Sequence, residues 1–525
     1  MAIAKKLGNL VGDKKMQVVA FSSTAIALYG YDQGMMSLIN TNNDYLRTMG
    51  ISSSSPQVGV IVSVYYLGCA LGAVLFSWFA NARGRKPALF GSLATASLGN
   101  FIMFIAGLGF EHSQPAPLIV MYIGRIVMGL GVGGVDSVVP VYSSELSSDD
   151  SRGKALAQEF QANIFGLNMA FAINLALTVY LGKENEWAWR IPIVAMQVYP
   201  LALLVFIYWL PESPRWFVHH DRTEDATKSL KEIVGEDDAQ KKCDELVQAS
   251  KDESDSKVGY KEMFTPGHTQ FHPTMITIMG QVNQALTGYG AVSVYGPQIF
   301  EQLGYGVRLS EYLTMANFIS YFILMTLAWV LIDALGRRTV MLYGSGTMTL
   351  CFLLLAVFGG LSRYHEDLHI HVNAVAIPGI VALFVATGAF GIGWLTPVWL
   401  IPTEIFPTAA RAHGTAVSVI IWGLANFTIT LITPILFNNL YFYIYLIFAG
   451  TNLIAGTWTY LYSPETGGRS FEENQEFFED AKSEGTWRVS KVDKGEFRYL
   501  PYPKPDGEVG ESQPLLRRVR DQVTS

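Results

Sequence analysis

Two residues near the N-terminus have the types needed to move a proton. Asp32 sits in "IALYGYDQGMMSLI" and Arg125 begins "RIVMGLGVGG", each a charge inside an apolar stretch. A charge at the centre of a membrane helix costs roughly 2.5–3.5 kcal/mol on insertion scales, so it is paired or functional. Burial disfavours an ionised carboxylate and a neighbouring guanidinium favours it. A pair that forms in one state and parts in another would load and release a proton. The bland alternative is a permanent structural ion pair. A second kind of charge is written twice. Glu145 precedes Arg152 in "PVYSSELSSDDSRG" and Glu404 precedes Arg411 in "IPTEIFPTAARAHG", both offset by 259 positions (404 − 145 and 411 − 152).

The elements that must position these charges are membrane helices. Half of the 525 residues are hydrophobic and only 15% are charged, against about 25% in a typical soluble chain. The apolar residues fall in blocks of the length a bilayer span needs, about 20 residues. Twelve such blocks are expected. The first six lie near 17–39, 57–80, 88–109, 116–139, 153–181 and 189–210. The second six lie near 274–302, 309–333, 339–361, 375–402, 411–437 and 440–462. This gives an N-terminal half at 17–210 and a C-terminal half at 274–462. Between them, 211–273 is polar, with apolar spacing that predicts short amphipathic helices beside the membrane. Residues 1–16 form a short leader without a signal-peptide core. From 463 to 525 the tail is acidic and then rich in Pro and Gly: a short helix at "FEENQEFFEDAKSE", followed by mostly disordered chain. Lys5, Lys6, Lys14, Lys15, Arg83, Arg85, Lys86, Arg337 and Arg338 all fall on one side of such a bundle. The excess of basic residues predicts that this side, with both termini and the central loop, is cytoplasmic. The sequon Asn426-Phe-Thr428 falls inside the eleventh block, so no glycan is expected there.

The charge motifs repeat with the helices. "NARGRKP" after helix 2 returns as "DALGRRT" after helix 8, and "PESPRW" after helix 6 returns as "PETGGRS" after helix 12. The offsets are 252 (336 − 84) and 253 (465 − 212), close to the 259 above. Two parallel six-helix halves are implied, and transporters built this way bind their solute between the halves near the bilayer midplane. Arg83, Arg85, Glu145, Arg152, Glu212, Arg215, Asp333, Arg337, Glu404, Arg411, Glu465 and Arg469 then sit at helix ends, where ion pairs between neighbouring helices would latch the inner side shut. Asn81 stands where the second copy keeps Asp333, so the N-terminal copy lacks one charge.

The ordered set "GYDQG" (30–34), "GRK" (84–86), "GRIVMGLGVGG" (124–134), "PVYSSE" ending at Glu145, "PESPRW" (211–216), "GRR" (336–338), "WLIPTEIFP" (399–407) and "PETGGRS" (464–470) resembles the sugar porter family of the major facilitator superfamily, especially its fungal members. The resemblance covers nearly all twelve helices. It implies an all-α membrane protein of major facilitator fold and proton-coupled symport of a sugar by alternating access. It implies proton coupling by Asp32 and Arg125, since relatives with a neutral residue at the Asp position tend to be facilitators. A sugar offers hydroxyls on a ring with apolar faces, so its site needs amides and aromatic rings. The family's solute-binding positions correspond here to Gln284, Tyr295, Trp399, Asn426 and Tyr29, with Gln161 beside one of them. Four typical polar contacts are replaced, by Phe160, Ala285, Gly290 and Trp422, each at about 1 kcal/mol or more per lost hydrogen bond. Gln281 and Asn283 are extra amides upstream. A hexose, a pentose, a larger glycoside, a polyol and a cyclic acid such as quinate therefore all stay open. Gly288 and Gly290 interrupt helix 7, and Pro397 and Pro402 give helix 10 a hinge.

Other classes find less support. "RYHEDLHIHVN" carries His365, Glu366, His369 and His371, yet it lies in a short loop and reads as solvated surface rather than as a metal site. There is no ATP-binding Walker motif, no basic stripe for nucleic acid, no ligand spacing among Cys69, Cys243 and Cys351, and no cofactor is expected. A nutrient-sensing receptor remains the alternative to a transporter; its family members carry longer tails than this one. Glu511 with Leu515 and Leu516 fits an acidic dileucine sorting pattern, which would route the chain to a vacuolar membrane instead of the plasma membrane. A monomer is expected to suffice.

Overall fold

A computed structural model describes residues 14–492 except 54, 110–114, 147–151, 255–258, 365–370 and 468–470, without the side chains of 152–155, 249, 251–254, 372, 408–409, 412 and 471–473. Twelve spans run through it. They are α1 (Lys14–Ile39), α2 (Pro56–Arg83), α3 (Arg85–Ile105), α4 (Ala116–Leu146), α5 (Arg152–Leu181) and α6 (Trp187–Met196 with Val198–Phe206). The second set is α7 (Phe271–Leu286 with Tyr289–Gln302), α8 (Val307–Met325 with Ala328–Leu335), α9 (Arg337–Arg363), α10 (Val372–Phe390 running on to Ile405), α11 (Thr408–Leu440) and α12 (Ile444–Tyr462). By length and composition alone, eight helices qualify as spans among the described residues, α11 and α12 being joined, and α8 adds a ninth across its 46° bend. α1, with Lys14, Lys15 and Asp32, and the broken α7 complete the twelve.

Large apolar side chains such as Trp78, Val198, Val330, Tyr343 and Leu453 stand exposed around the outside, as a surface that meets lipid requires. Within the N-terminal half α4 packs closely on α2. A Cβ at Gly133 would lie 2.0 Å from the Cys69 carbonyl oxygen, so only glycine lets the backbones approach this far. α7 breaks at Gly288, whose φ of 85° favours glycine. The carbonyls freed by the break are answered from α12. Thr451 Oγ1 donates to Leu286 O at 2.6 Å and Asn452 Nδ2 to Thr287 O at 3.0 Å, as buried backbone demands. α10 carries a π-helical turn at Gly391–Leu395, a distortion common at functional sites.

The amphipathic segment between the halves folds as helices Thr223–Val234 and Glu236–Ser254, and the tail adds Phe471–Ser483. The "motif end" below is the end where α2, α4, α10 and α12 finish; the "far end" is opposite.

Candidate functional site

At the motif end the two halves repeat one another residue for residue, with small differences. Arg85, the first residue of α3, grips Glu145 at the end of α4 with two bonds, Nε to Oε2 at 3.0 Å and Nη2 to Oε1 at 2.8 Å. Arg337, the first residue of α9, grips Glu404 through one oxygen, Nε and Nη2 both donating to Oε1 at 3.1 and 2.8 Å, while Oε2 accepts from the Thr466 hydroxyl at 2.6 Å. Glu212 accepts the backbone N–H groups of Arg85 and Lys86 at 3.0 and 2.9 Å. Glu465 accepts those of Arg337 and Arg338 at 2.7 and 3.0 Å. Each carboxylate thus caps a helix N-terminus, where orphan donors and the helix dipole favour negative charge. Burial pushes both carboxyls up from the usual range, against the pull of those backbone donors. Asn81 Oδ1 accepts from Arg85 at 3.2 Å, where its counterpart Asp333 makes a 3.0 Å ion pair with Arg337.

These pairs differ from the spacing that drew attention to them. Glu145 and Glu404 meet Arg85 and Arg337 of the neighbouring motif, because the turn of the chain brings the helix ends, and not sequence neighbours, together. Each grip lies within its own half. Arg83 is exposed and forms no ion pair among the described residues. Arg215 and Arg411 are half-buried at the same end. The Arg152 side chain, Arg469, His365, Glu366, His369, Glu511, Leu515 and Leu516 lie outside the described residues, and His371 is exposed.

A cavity of about 520 Å³, its mouth included, lies between the halves. Its lining comes from α1, α4 and α5 on one side and from α10 and α11 on the other, in the parts of those helices nearer the motif end. Tyr29, Phe160 and Trp399 are in its wall. Trp422 stands behind them, 5.2 Å edge-on to Tyr29, 5.3 Å from Tyr66 and 5.8 Å from Trp399 between ring centroids. Phe160 meets Trp399 across the halves at 5.6 Å. This continuous aromatic layer suits the apolar face of a ring.

The polar candidates are placed otherwise. Gln284 Nε2 donates to the Trp394 carbonyl at 2.9 Å and so answers a carbonyl of the π turn. Gln161 Nε2 donates to Phe322 O of α8 at 3.3 Å. Asn426 Nδ2 donates to Trp422 O at 2.9 Å, with its Oδ1 facing Gly290. Tyr295 sits at a kink in α7, its ring 6.1 Å from Phe437. Gln281 is held by Ser418 at 2.6 Å. None of these five lines the cavity in this conformation. Its polar groups are Asp136, Thr403, Thr415 and Ser418 together with Tyr29. The sequence carried a signal for one of them: Asp136 is an acid inside the apolar "GRIVMGLGVGGVDSVV".

Asp32 and Arg125 form a fully buried ion pair away from the cavity. Arg125 Nε donates to Ile61 O at 3.1 Å and its guanidinium lies 4.6 Å over the Tyr65 ring. Beside it, Gln33 Nε2 donates to the Tyr29 hydroxyl at 2.7 Å. The far end is closed by a link between halves: Lys183 Nζ, following α5, is 2.7 Å from Glu311 Oε1 of α8, and Arg308 holds the other oxygen at 2.8 Å.

Twelve spans in two halves that pair across a central cavity define a transporter of the major facilitator fold. Residues 16–478 match the family described as "Sugar (and other) transporter", and the chain belongs to it. It is 28% identical over 475 residues to the MFS-type transporter oryC of Aspergillus oryzae, covering 88% of this chain and 85% of that one. It is 30% identical over 507 residues to the sugar transporter STL1 of Saccharomyces cerevisiae, covering 92% and 85%. The proton:xylose symporter XylE bound to 6-bromo-6-deoxy-D-glucose superposes with a TM-score of 0.74 at 22% identity, over 88% of this chain and 99% of that one, a likeness of fold.

Proposed function

We propose that the chain is a secondary active transporter that carries a sugar or related polyhydroxy solute together with a proton by alternating access. The observation that carries this reading is the aromatic-walled cavity lined from both halves. A solute held there touches both halves and so biases their rocking. The driving force suffices: one charge crossing 100 mV releases roughly 2.3 kcal/mol, more than the ~1.4 kcal/mol a tenfold gradient requires. Coupling falls to Asp32 and Arg125, whose pair must part and re-form during the cycle. Glu145 with Arg85 and Glu404 with Arg337 fix the helix ends of each half, so that each half moves as a unit; Arg152, Glu212, Arg215, Asp333, Arg411, Glu465 and Arg469 belong to the same inner rim. The motif end is cytoplasmic by its basic residues, the plasma membrane is the expected site, and one chain suffices.

Phe160, Ala285, Gly290 and Trp422 replace amides with apolar groups, which favours a solute with a larger apolar face than a simple hexose; a polyol or a cyclic acid is the second reading. Radiolabelled uptake of a solute panel by transporter-deficient cells, with and without protonophore, tests this. Accumulation of a polyhydroxy solute that the protonophore abolishes is expected. Accumulation indifferent to the protonophore removes the symport reading.

A further inference from the structure

The cavity holds one formal charge that the account above leaves unused. Asp136, on α4, lines the cavity and is more than nine-tenths buried. The titratable groups near enough to feel its charge are Tyr29 from α1 and Tyr65 and Cys69 from α2. From α5, α10 and α11 the cavity wall supplies Phe160, Trp399, Thr403, Thr415 and Ser418. Among the described residues no Lys, Arg or His forms an ion pair with Asp136. Asp32 is the opposite case: Arg125 neutralises it where it stands, and it does not line the cavity. Asp136 follows Arg125 by 11 positions (136 − 125), about 16 Å along α4 towards the motif end. The other intramembrane acid on this side, Glu159 of α5, accepts a bond from Ser143 at 3.0 Å and is not in the cavity wall.

A carboxylate facing aromatic rings and hydroxyls, without a cation, is electrically balanced only when it carries a proton or faces a cationic solute. A polyhydroxy solute brings no cation. Resting on the transport reading, we propose that Asp136 is a second proton-carrying carboxylate, one that meets the solute directly in the cavity. A proton bound on Oδ gives the solute a hydroxyl donor beside a carbonyl acceptor. When the cavity opens at the motif end, the O–H bond breaks, H⁺ leaves to water and the carboxylate is hydrated. No bond in the solute changes. Asp32 and Asp136 then stand at two depths of one path, the first served by Arg125 and the second by the solute and bulk water.

The test needs no knowledge of the solute. Infrared spectra of the purified full-length chain in lipid vesicles are titrated to alkaline pH from a starting pH above the range in which exposed aspartates protonate, with isotope labelling of the aspartate carboxyls to separate them from Glu159. The expected result is a protonated-aspartate carbonyl band that fades as pH rises in the wild type and in Asp32→Asn. It is absent from Asp136→Asn, and Asp136→Glu restores an equivalent band without the aspartate isotope shift. Persistence of the band in Asp136→Asn overturns the proposal, as does its loss only in Asp32→Asn or its absence from the wild type. Far-UV spectra and melting of each variant establish that it folds. Because the band is read without solute, this outcome is independent of whether the uptake panel finds a sugar.

Discussion

On the proposed alternating-access reading, the far-end link sets the balance between two forms. Lys183 and Glu311 join the halves at 2.7 Å, with Glu311 fully buried and the Lys183 side chain 20% exposed. Lys183→Met removes this contact between halves while Arg308, on the same helix as Glu311, keeps the carboxylate paired at 2.8 Å. An exposed ion pair contributes about 0.2–1 kcal/mol and breaking a buried one costs about 3–5 kcal/mol. With Glu311 buried and Lys183 partly exposed, this pair lies between, at about 1.5 kcal/mol, which is roughly a tenfold shift towards the form open at the far end. The assay is labelling by a membrane-impermeant maleimide of a cysteine placed at Phe318, which packs on Phe171 between the halves at 5.2 Å. Cys69, Cys243 and Cys351 are all buried, so background labelling stays low. The initial labelling rate should rise about tenfold in Lys183→Met. Arg308→Met, which leaves the link between halves intact, should change it little. An unchanged rate in Lys183→Met, or an equal rise in both variants, would refute the reasoning.

Three further outcomes are expected. Asp32→Asn should abolish accumulation while leaving solute exchange partly intact, measured as uptake against counterflow in vesicles. Gly288→Ala should lower the melting temperature by at least the equivalent of ~1 kcal/mol, since φ is 85° and the new Cβ would lie 2.6 Å from Phe448. Burial raises the Glu212 and Glu465 carboxyls, so between the ordinary glutamate value and the raised one the folded chain binds more protons than the unfolded chain. Their contribution is therefore fully present below the ordinary value and is lost as pH rises through the raised one; the double Glu→Gln variant should flatten that slope in a thermal melt.

The helices were legible in the sequence because lipid demands long apolar blocks, and the repeated motifs made the two halves visible before any geometry. The helices of the central segment followed from its apolar spacing, and a helix does form at Phe471–Ser483, where one was expected in the tail. Partners at helix ends were not legible. Glu145 lies seven residues from Arg152 (152 − 145) but in space it meets Arg85, 60 positions back (145 − 85). The π turn of α10 leaves no clear mark in the sequence, so Gln284 read as a solute amide, whereas in this conformation it satisfies the Trp394 carbonyl. The far-end link joins residues 128 positions apart (311 − 183) in unrelated segments, and no motif points to it. Asp136 was not singled out, although an acid within an apolar run carries a signal, and its place in the cavity depends on the crossing of α4 with α11, which packing alone decides.

The most direct test of the central claim is solute-driven proton flux in vesicles that contain the purified chain and a trapped pH dye. Adding a carried solute outside, with no imposed gradient of pH or potential, should acidify the lumen as solute enters, and Asp32→Asn should abolish that acidification. Solute entry at the wild-type rate without any acidification would contradict proton coupling and leave only passive carriage.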